Sequence, residues 1–467
     1  MSTAAFLPWN TLNKNMNIPL QTCAVTSIFT LLGASSLSAQ QDPERPIDPS
    51  VFAEQEPAQQ ERLPAPDAGA FPGFMGTERG GSGFTSRFDP SFNPALGVIL
   101  DGFALFADAG SEEREEAYDR IELRAIEFDI ASRIDPLGWA YVVAEFGNEG
   151  GGEYNFELLE AAVWFDQLPN RFSVRAGRYF SDFGKWNTVH IHDRPYPFTE
   201  GVRQEFLGGS LISNGLELHH WFGVGDVPVR WSVGISSGFE GHSHPVLAFE
   251  GGHEDEGDEH GHSHGFASES EGGRGLDNFA FTGRISAQHD VAGGFFQWGA
   301  SAFFTDAGLL EEHDDGGGPE FFELGQNTFA LDFLYRTVDG SNNTFRSTGV
   351  ELFFNDRDIF DEDTETIGSG EGVGLSAFYE QGISKNWSLG AQASWWEHAD
   401  KEDGGDWFTG EDAGRQVAVY ATWRLSHFQR IRFALANFDP MPGEDADWVL
   451  AAQWVGILGS HHHALDW

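Results

Sequence analysis

Residues 241–265 read GHSHPVLAFEGGHEDEGDEHGHSHG, a stretch with six histidines, six carboxylates and neither lysine nor arginine. His242 and His244 form one H-x-H pair, His260, His262 and His264 form a double one, and His253 lies between them. Neutral imidazole nitrogens beside carboxylates suit Zn2+, and equally Cu2+ or Ni2+. So much glycine leaves the ligands without preorganisation, so the expected sites are weak, multiple and quickly exchanging. Fast exchange suits a collector beside a channel, because a trapped ion cannot be delivered. Free imidazole titrates near about pH 6.5, so capture should fade as the medium acidifies. The plainer alternative is a solvated acidic segment in which the histidines are incidental.

A second group lies in SDFGKWNTVHIHDRPYPFTEGVRQEFLGGS, which begins at Ser181. His190, His192 and Asp193 are candidate metal donors, and Lys185, Arg194 and Arg203 are close in sequence. Long, proline-bearing and aromatic-rich, this segment is the one expected to fold inward and screen solutes by charge and size. The alternative is packing on the rim. Just before it, RFSVRAGRYF (171–180) places Arg171 and Arg175, with Tyr179 nearby, on a polar face. These would put positive charge into an otherwise acidic pore, or else pair with lumenal carboxylates.

The remaining histidines carry less. His461, His462 and His463 offer a weak candidate site near the C-terminus, and His219, His220, His289, His313, His398 and His427 read as interfacial or turn residues. GISSG at 234–238 matches G-x-S-x-G, but it ends a strand-like run with no helix after it, and reads as chance. H-E-x-x-H, phosphate-cradling and dinucleotide signatures are absent. No catalytic residue is nominated and no cofactor is required.

The scaffold follows from periodicity. FELLEAAVWFD (156–166) alternates apolar and polar, with Leu159, Ala161, Val163 and Phe165 on one face; in RFSVRAGRYF, Phe172, Val174 and Ala176 do the same. Period two is the signature of a strand with two unlike faces. About sixteen such segments follow one another, beginning near Ala95, Arg120, Trp139, Phe156, Arg171, Gly215, Val229, Phe279, Gly294, Gln326, Thr344, Gly372, Trp387, Arg415, Gln429 and Asp447. Short connections such as IDPLG, QLPN and ISKN alternate with long Gly/Asp/Glu-rich ones at 107–119, 181–213, 240–277, 306–325, 356–371, 399–414 and 439–446. Short turns on one rim and long loops on the other predict an all-β, transmembrane antiparallel barrel of porin type, in the bacterial outer membrane. Ten tryptophans in or at the ends of strands, Trp139, Trp164, Trp221, Trp231, Trp298, Trp387, Trp395, Trp396, Trp423 and Trp454, would supply the aromatic girdles. A barrel of this size is too wide to fill with its own side chains, which predicts a wet bore narrowed by a loop, and passive diffusion of small solutes.

Composition agrees. Lys+Arg 27 against Asp+Glu 73 gives a net charge of −46, which repels nucleic acid and attracts cations. Cys23 is the only cysteine, so disulfides and cysteine-based zinc sites are excluded. Cys23 opens CAVTSIFTLLGASSLSAQ, whose apolar core spans 23–34 and whose small residues run to Ala39, so residues 1–39 read as an export signal. Residues 40–93 are rich in Pro, Gln and Glu and read as a flexible periplasmic lead-in, too short and too polar for a plug domain; residues 94–467 form the barrel. Expected partners are outer-membrane lipid, lipopolysaccharide and divalent metal ions, and sixteen strands allow a homotrimer.

The run AGRYFSDFGKWNTVHIH (176–192), followed by EFLGG (205–209), resembles a bacterial family of zinc-regulated outer-membrane proteins, similar in style to the phosphate-selective porins. Ala176, Gly177, Arg178, Phe180, Asp182, Phe183, Gly184, Asn187, His190 and His192 match its strand end and N-x-x-H-x-H stretch. The opening Asn93-Pro94-Ala95 and the histidine-bearing tail are similar too. DRPYPFTEG (193–201) departs from the pattern. The resemblance implies a barrel linked to zinc. The competing expectations are a general or anion-selective porin with no metal role and, remotely, a barrel hydrolase.

Overall fold

The computed structural model describes residues 94–108, 119–135, 137–148, 154–166, 168–242, 279–312, 320–340, 344–361, 366–397, 413–426, 428–439 and 446–459. The signal and lead-in readings at 1–39 and 40–93 lie outside them, as do His244, His253, His260, His262, His264 and His461–His463.

The first half contributes β1 (Ala95–Asp108), β2 (Arg120–Asp135), β3 (Gly138–Asn148), β4 (Tyr154–Phe165), β5 (Phe172–Phe180), β6 (Ser210–Val224), β7 (Val227–His242) and β8 (Ala280–Val291). The second contributes β9 (Gly294–Glu312), β10 (Glu320–Asp339), β11 (Thr344–Asp361), β12 (Thr366–Gly382), β13 (Trp387–Glu397), β14 (Ala413–Ser426), β15 (Gln429–Asp439) and β16 (Asp447–Gly459). Each pairs with its sequence neighbours, and β1 pairs antiparallel with β16, which closes the barrel. Closure leaves no edge strand, so the ladders pair around the whole barrel apart from local bulges. Among the described residues no helix is long and apolar enough to cross a membrane; the strands cross instead.

The two faces differ as a bilayer requires. On β10, Phe329, Leu331 and Phe333 point outward and are exposed, while Thr328 and Asp332 point inward and are buried. On β14, Val417 and Val419 are outside and Gln416 inside; on β15, Phe433 and Leu435 are outside and Arg432 inside. An apolar skin around a polar interior places the chain in the bacterial outer membrane, with the short turns periplasmic. Near that rim Trp387 and Trp423, paired across β13 and β14, stack with ring centroids 5.6 Å apart. His220 joins a neighbouring outward cluster, 4.4 Å from Phe172 and 5.7 Å from Trp231.

Several expectations change. Segments 306–325 and 356–371 are largely strand: Leu309–Glu312 pair with Glu320–Glu323, and Arg357–Asp361 with Thr366–Gly370. Backbone pairing does not require an alternating sequence, so the ladder continues where the alternation fades. Leu159 does not share the outward face of Ala161 and Val163. It sits at a bulge, with Val143 opposite Glu160 and Ala144 opposite Leu158, and is buried beside Tyr179, Phe180 and Ile212. Trp164 and Trp396 are buried inside the barrel and belong to no girdle. His219 is neither interfacial nor in a turn; its ring is buried 4.7 Å from Trp164, and its Nε2 lies 2.7 Å from Glu217 Oε1.

Candidate functional site

Between β5 and β6 the chain turns into the barrel and crosses it. Asn187 fastens the base of this crossing: its Nδ2 donates to Ser181 O (2.7 Å) and Leu211 O (2.9 Å), and its Oδ1 accepts from Leu211 N (2.7 Å). A 3-10 turn at Ile191–Asp193 follows, then a proline-bearing extended stretch, then α1 (Gly201–Leu207). Gly208 ends α1 at φ 63, the left-handed conformation that glycine adopts freely. Gly201 lies so close against the Trp396 ring that a Cβ there would clash.

A polypeptide crossing a barrel exposes backbone groups that the wall must satisfy. Gly184 N donates to Ser301 Oγ of β9 (3.0 Å), Lys185 N to Glu351 Oε1 of β11 (2.5 Å), Val202 N to Ser394 Oγ of β13 (3.1 Å) and Gly201 N to Gln416 Oε1 of β14 (2.8 Å). Phe206 O accepts from Gln326 Nε2 of β10 (2.7 Å), Phe198 O from Gln392 Nε2 (2.8 Å) and Tyr196 O from Arg432 Nη1 of β15 (3.1 Å). Trp186, Val189, Tyr196 and Phe198 pack on inward apolar residues such as Phe103, Leu105 and Phe378. The bore is therefore apolar in part, not uniformly wet.

The pore residues named from sequence divide into pins and a bystander. Arg175 donates to Glu217 Oε1 (2.5 Å) and Phe180 O (2.8 Å), with its guanidinium 4.3 Å from the ring of buried Tyr179. Arg194 pairs with Glu200 (2.9 Å) and donates to Ser210 Oγ (2.6 Å), folding the segment onto itself. Arg203 pairs with Glu351 and reaches Asn187 Oδ1 (3.4 Å). Lys185 is buried; desolvation first, then the Arg284 guanidinium, pushes its ammonium down to about 8, against the pull of Asp332 and Glu351. Arg171 does not line the bore. It sits exposed in the Pro169–Arg171 turn at φ 63, because the QLPN connection takes one residue more than expected.

The histidines of the crossing segment meet the β2–β4 wall. His190 Nδ1 lies 2.7 Å from Glu127 Oε2 and its Nε2 3.2 Å from Glu160 Oε1. His192 Nδ1 lies 3.6 Å from the same Glu127 oxygen, and its Nε2 3.6 Å from Asp193 Oδ2. Burial alone disfavours the His190 charge, but the Glu127 and Glu160 carboxylates outweigh it and hold the imidazole well above its ordinary value. His242, at the end of β7, places Nδ1 2.9 Å from Glu157 Oε2 and Nε2 4.0 Å from Glu145 Oε1. Of the metal donors named from sequence, His190, His192 and Asp193 thus come together, and His242 lies further along the same wall, lining a small cavity with His190.

Glu127, Asp129, Glu145 and Glu160 were not among the residues named from sequence. Their signal was present: in RAIEFDI, Glu127 and Asp129 recur at the inward period of a strand whose other face is apolar. Ser236 of the GISSG run is buried within β7, far from the strand-to-helix turn that activates such a serine.

No family model matches the chain. An uncharacterised protein of Aquifex aeolicus is 27% identical over 118 residues, 25% of this chain and 24% of that protein; the chain spans about a quarter of the curated relative it matches. Similar solved structures include a loop-deleted OmpT of Vibrio cholerae, an outer-membrane protein (TM-score 0.47, 10% identity, 78% of this chain and 98% of that one). Salmonella typhi OmpF in complex with daunomycin (0.46, 11%, 78% and 97%) and the outer-membrane channel DcaP of Acinetobacter baumannii (0.45, 10%, 78% and 97%) are others. The barrel assignment rests on the strand register itself.

Proposed function

We propose that this chain is an outer-membrane channel for small hydrophilic solutes, and that residues 241–265 gather divalent metal, zinc foremost, at its outer mouth. The observation that carries the channel reading is the bore: charged and amide side chains face inward around a closed barrel, and one crossing segment narrows it. The carboxylates on β2–β4 favour cations over anions on that side. The composition of 241–265 supports metal gathering, and its first histidine, His242, reaches the bore wall. Assembly as a homotrimer belongs to the same reading.

Single-channel recording of the purified protein in planar bilayers tests it. The expected result is cation selectivity, with zinc-dependent current noise that disappears when residues 243–265 are deleted. Anion selectivity indifferent to zinc would favour the general porin instead; the arginines on β14–β15 are the feature that speaks for that second reading.

A further inference from the structure

The register of β2, β3 and β4 sets like charges side by side. Glu127 lies directly opposite Glu145, and Glu145 directly opposite Glu157. Like charges facing one another across a ladder destabilise a sheet, and Glu160 adds another inward carboxylate on β4. A cation joining this row would relieve that repulsion.

The crossing segment brings the complement. The Ile191–Asp193 turn holds the His190 and His192 rings 5.7 Å apart, both over Glu127. One ligand atom from each of Glu127, His190 and His192 lies within 4.8 Å of the other two, and all three residues are buried. Glu127 is 1% exposed, and its Oε1 has no hydrogen-bond partner among the described residues. Such an orphaned carboxylate oxygen costs free energy that a ligand would recover. Beside it is a cavity of about 10 Å3 lined by Glu127, Glu145, Phe180, His190, Arg194 and His242.

We propose that Glu127, His190 and His192 bind one zinc-class divalent cation inside the bore, fastening the crossing segment to β2. Two imidazoles and a carboxylate are the donors zinc takes, at about 2.0–2.2 Å each. That implies donor separations of roughly 3.3 Å, so the present ones need only modest adjustment. Glu160, 3.2 Å from His190, is placed to orient that ring from behind, as second carboxylates do around zinc-bound histidines. The adjoining cavity has room for about one water as a fourth ligand. With its donors held by packing, this site is tight and exchanges slowly, unlike anything a glycine-rich outer segment can form. It is independent of the metal-gathering role proposed for 241–265.

The experiment uses the full chain with His244, His253, His260, His262 and His264 replaced by glutamine. Purified and metal-stripped, it is titrated with Co2+ and followed by visible absorption. The expected result is one equivalent with a tetrahedral d–d spectrum, displaced by Zn2+. Adding Glu127→Gln or His192→Gln should weaken that binding by about 100-fold or more. Should either variant fail to give the heat-modifiable folded band, X-ray absorption on the zinc-loaded parent decides, through a first shell of two imidazoles and oxygen. The proposal is overturned if the parent holds no tight equivalent, if its first shell lacks histidine, or if folded Glu127→Gln binds unchanged. Loss of weak, fast-exchanging metal on removing the outer histidines tests the outer segment alone and leaves the buried site standing.

Discussion

Two sectors of the bore, separated only by β1 and β16, treat their surplus charge differently. On β2–β4, Glu127, Asp129, Glu145 and Glu160 face inward, met by imidazoles and, at 4.0 Å, by Arg175. On β14–β15, Arg424, Arg430 and Arg432 face inward; Arg432 donates to the neutral oxygens Tyr196 O, Arg194 O and Gln453 Oε1, while Arg424 has Ser388 Oγ (2.9 Å) as well as Glu380 (3.1 Å). An arginine keeps its charge at any pH the protein meets and is content with carbonyl oxygens. A carboxylate takes neutral donors too, as Glu160 does from the Tyr141 hydroxyl (3.2 Å), but Glu127 and Glu145 face each other across the ladder, and a shared cation relieves that repulsion. The arginine sector therefore reads as a permanent anchor for the extended stretch 194–199, and the carboxylate sector as the adjustable, ligand-taking side of the same crossing segment.

Both sectors depend on the crossing segment staying anchored to the wall. Glu351, fully buried on β11, accepts from Lys185 N and Trp186 N and pairs with Arg203. Glu351→Ala strips a buried guanidinium and two amides of their acceptor. Breaking one side of a buried pair costs on the order of 3–5 kcal/mol. The crossing segment should unseat, with a several-fold rise in unitary conductance and faster proteolysis near Trp186. Unchanged conductance with an unchanged cleavage pattern would mean that the anchors elsewhere suffice.

A smaller effect separates the two sectors directly. Glu145→Gln should lower the cation-to-anion permeability ratio by about two-fold, and Arg432→Gln should raise it by about as much, because each removes one charge from a low-dielectric constriction. Reversal potentials in a salt gradient measure both. Shifts of the same sign would show that only one sector borders the solute path.

How much of this was legible beforehand depends on what enforces it. Sixteen strands could be read because lipid outside and water inside impose period two on every crossing, but β6, β10 and β12 begin earlier than Gly215, Gln326 and Gly372, at Ser210, Glu320 and Thr366. Pairing beyond the alternating runs, as in Glu320–Glu323, is a backbone ladder that sequence periodicity does not show. Leu159 was misplaced because a bulge flips it, and Trp396 because its aromatic character outweighed its inward phase with Gln392 and Ser394, where Gly201 of α1 leaves room for its ring. His190, His192 and Asp193 stood out by composition. Glu127 did not, since its significance is a register partner, Glu145, and a loop that returns from 63 residues further on. Arg171 was read one residue too far into β5 because turns take their boundary from φ, not from hydropathy.

The finest distinction concerns Lys185, whose ammonium faces neither sector. Arg284 on β8, Asp332 on β10 and Glu351 on β11 surround it, and Trp186 lies beside it, with Nζ 5.9 Å from the ring. Burial brings its ionisation down to about 8 from the ordinary 10.5. Below about 8 the lysine is charged in both folded and unfolded chains, and the folded one bears the full desolvation penalty. As pH rises through that value the folded ammonium discharges, and the penalty fades until the unfolded lysine also loses its proton. Stability should therefore rise from pH 8 toward 10.5, and Lys185→Met should stabilise the barrel at pH 7 by about 3 kcal/mol at most, but not at pH 10.5. Heat-modifiability midpoints at the two pH values measure this. In the channel, the lost charge should raise cation preference between pH 7 and 9, modestly, in the native protein and not in Lys185→Met. A pH dependence that survives the substitution would move the titration to the imidazole sector, and with it the adjustable charge that ions sense.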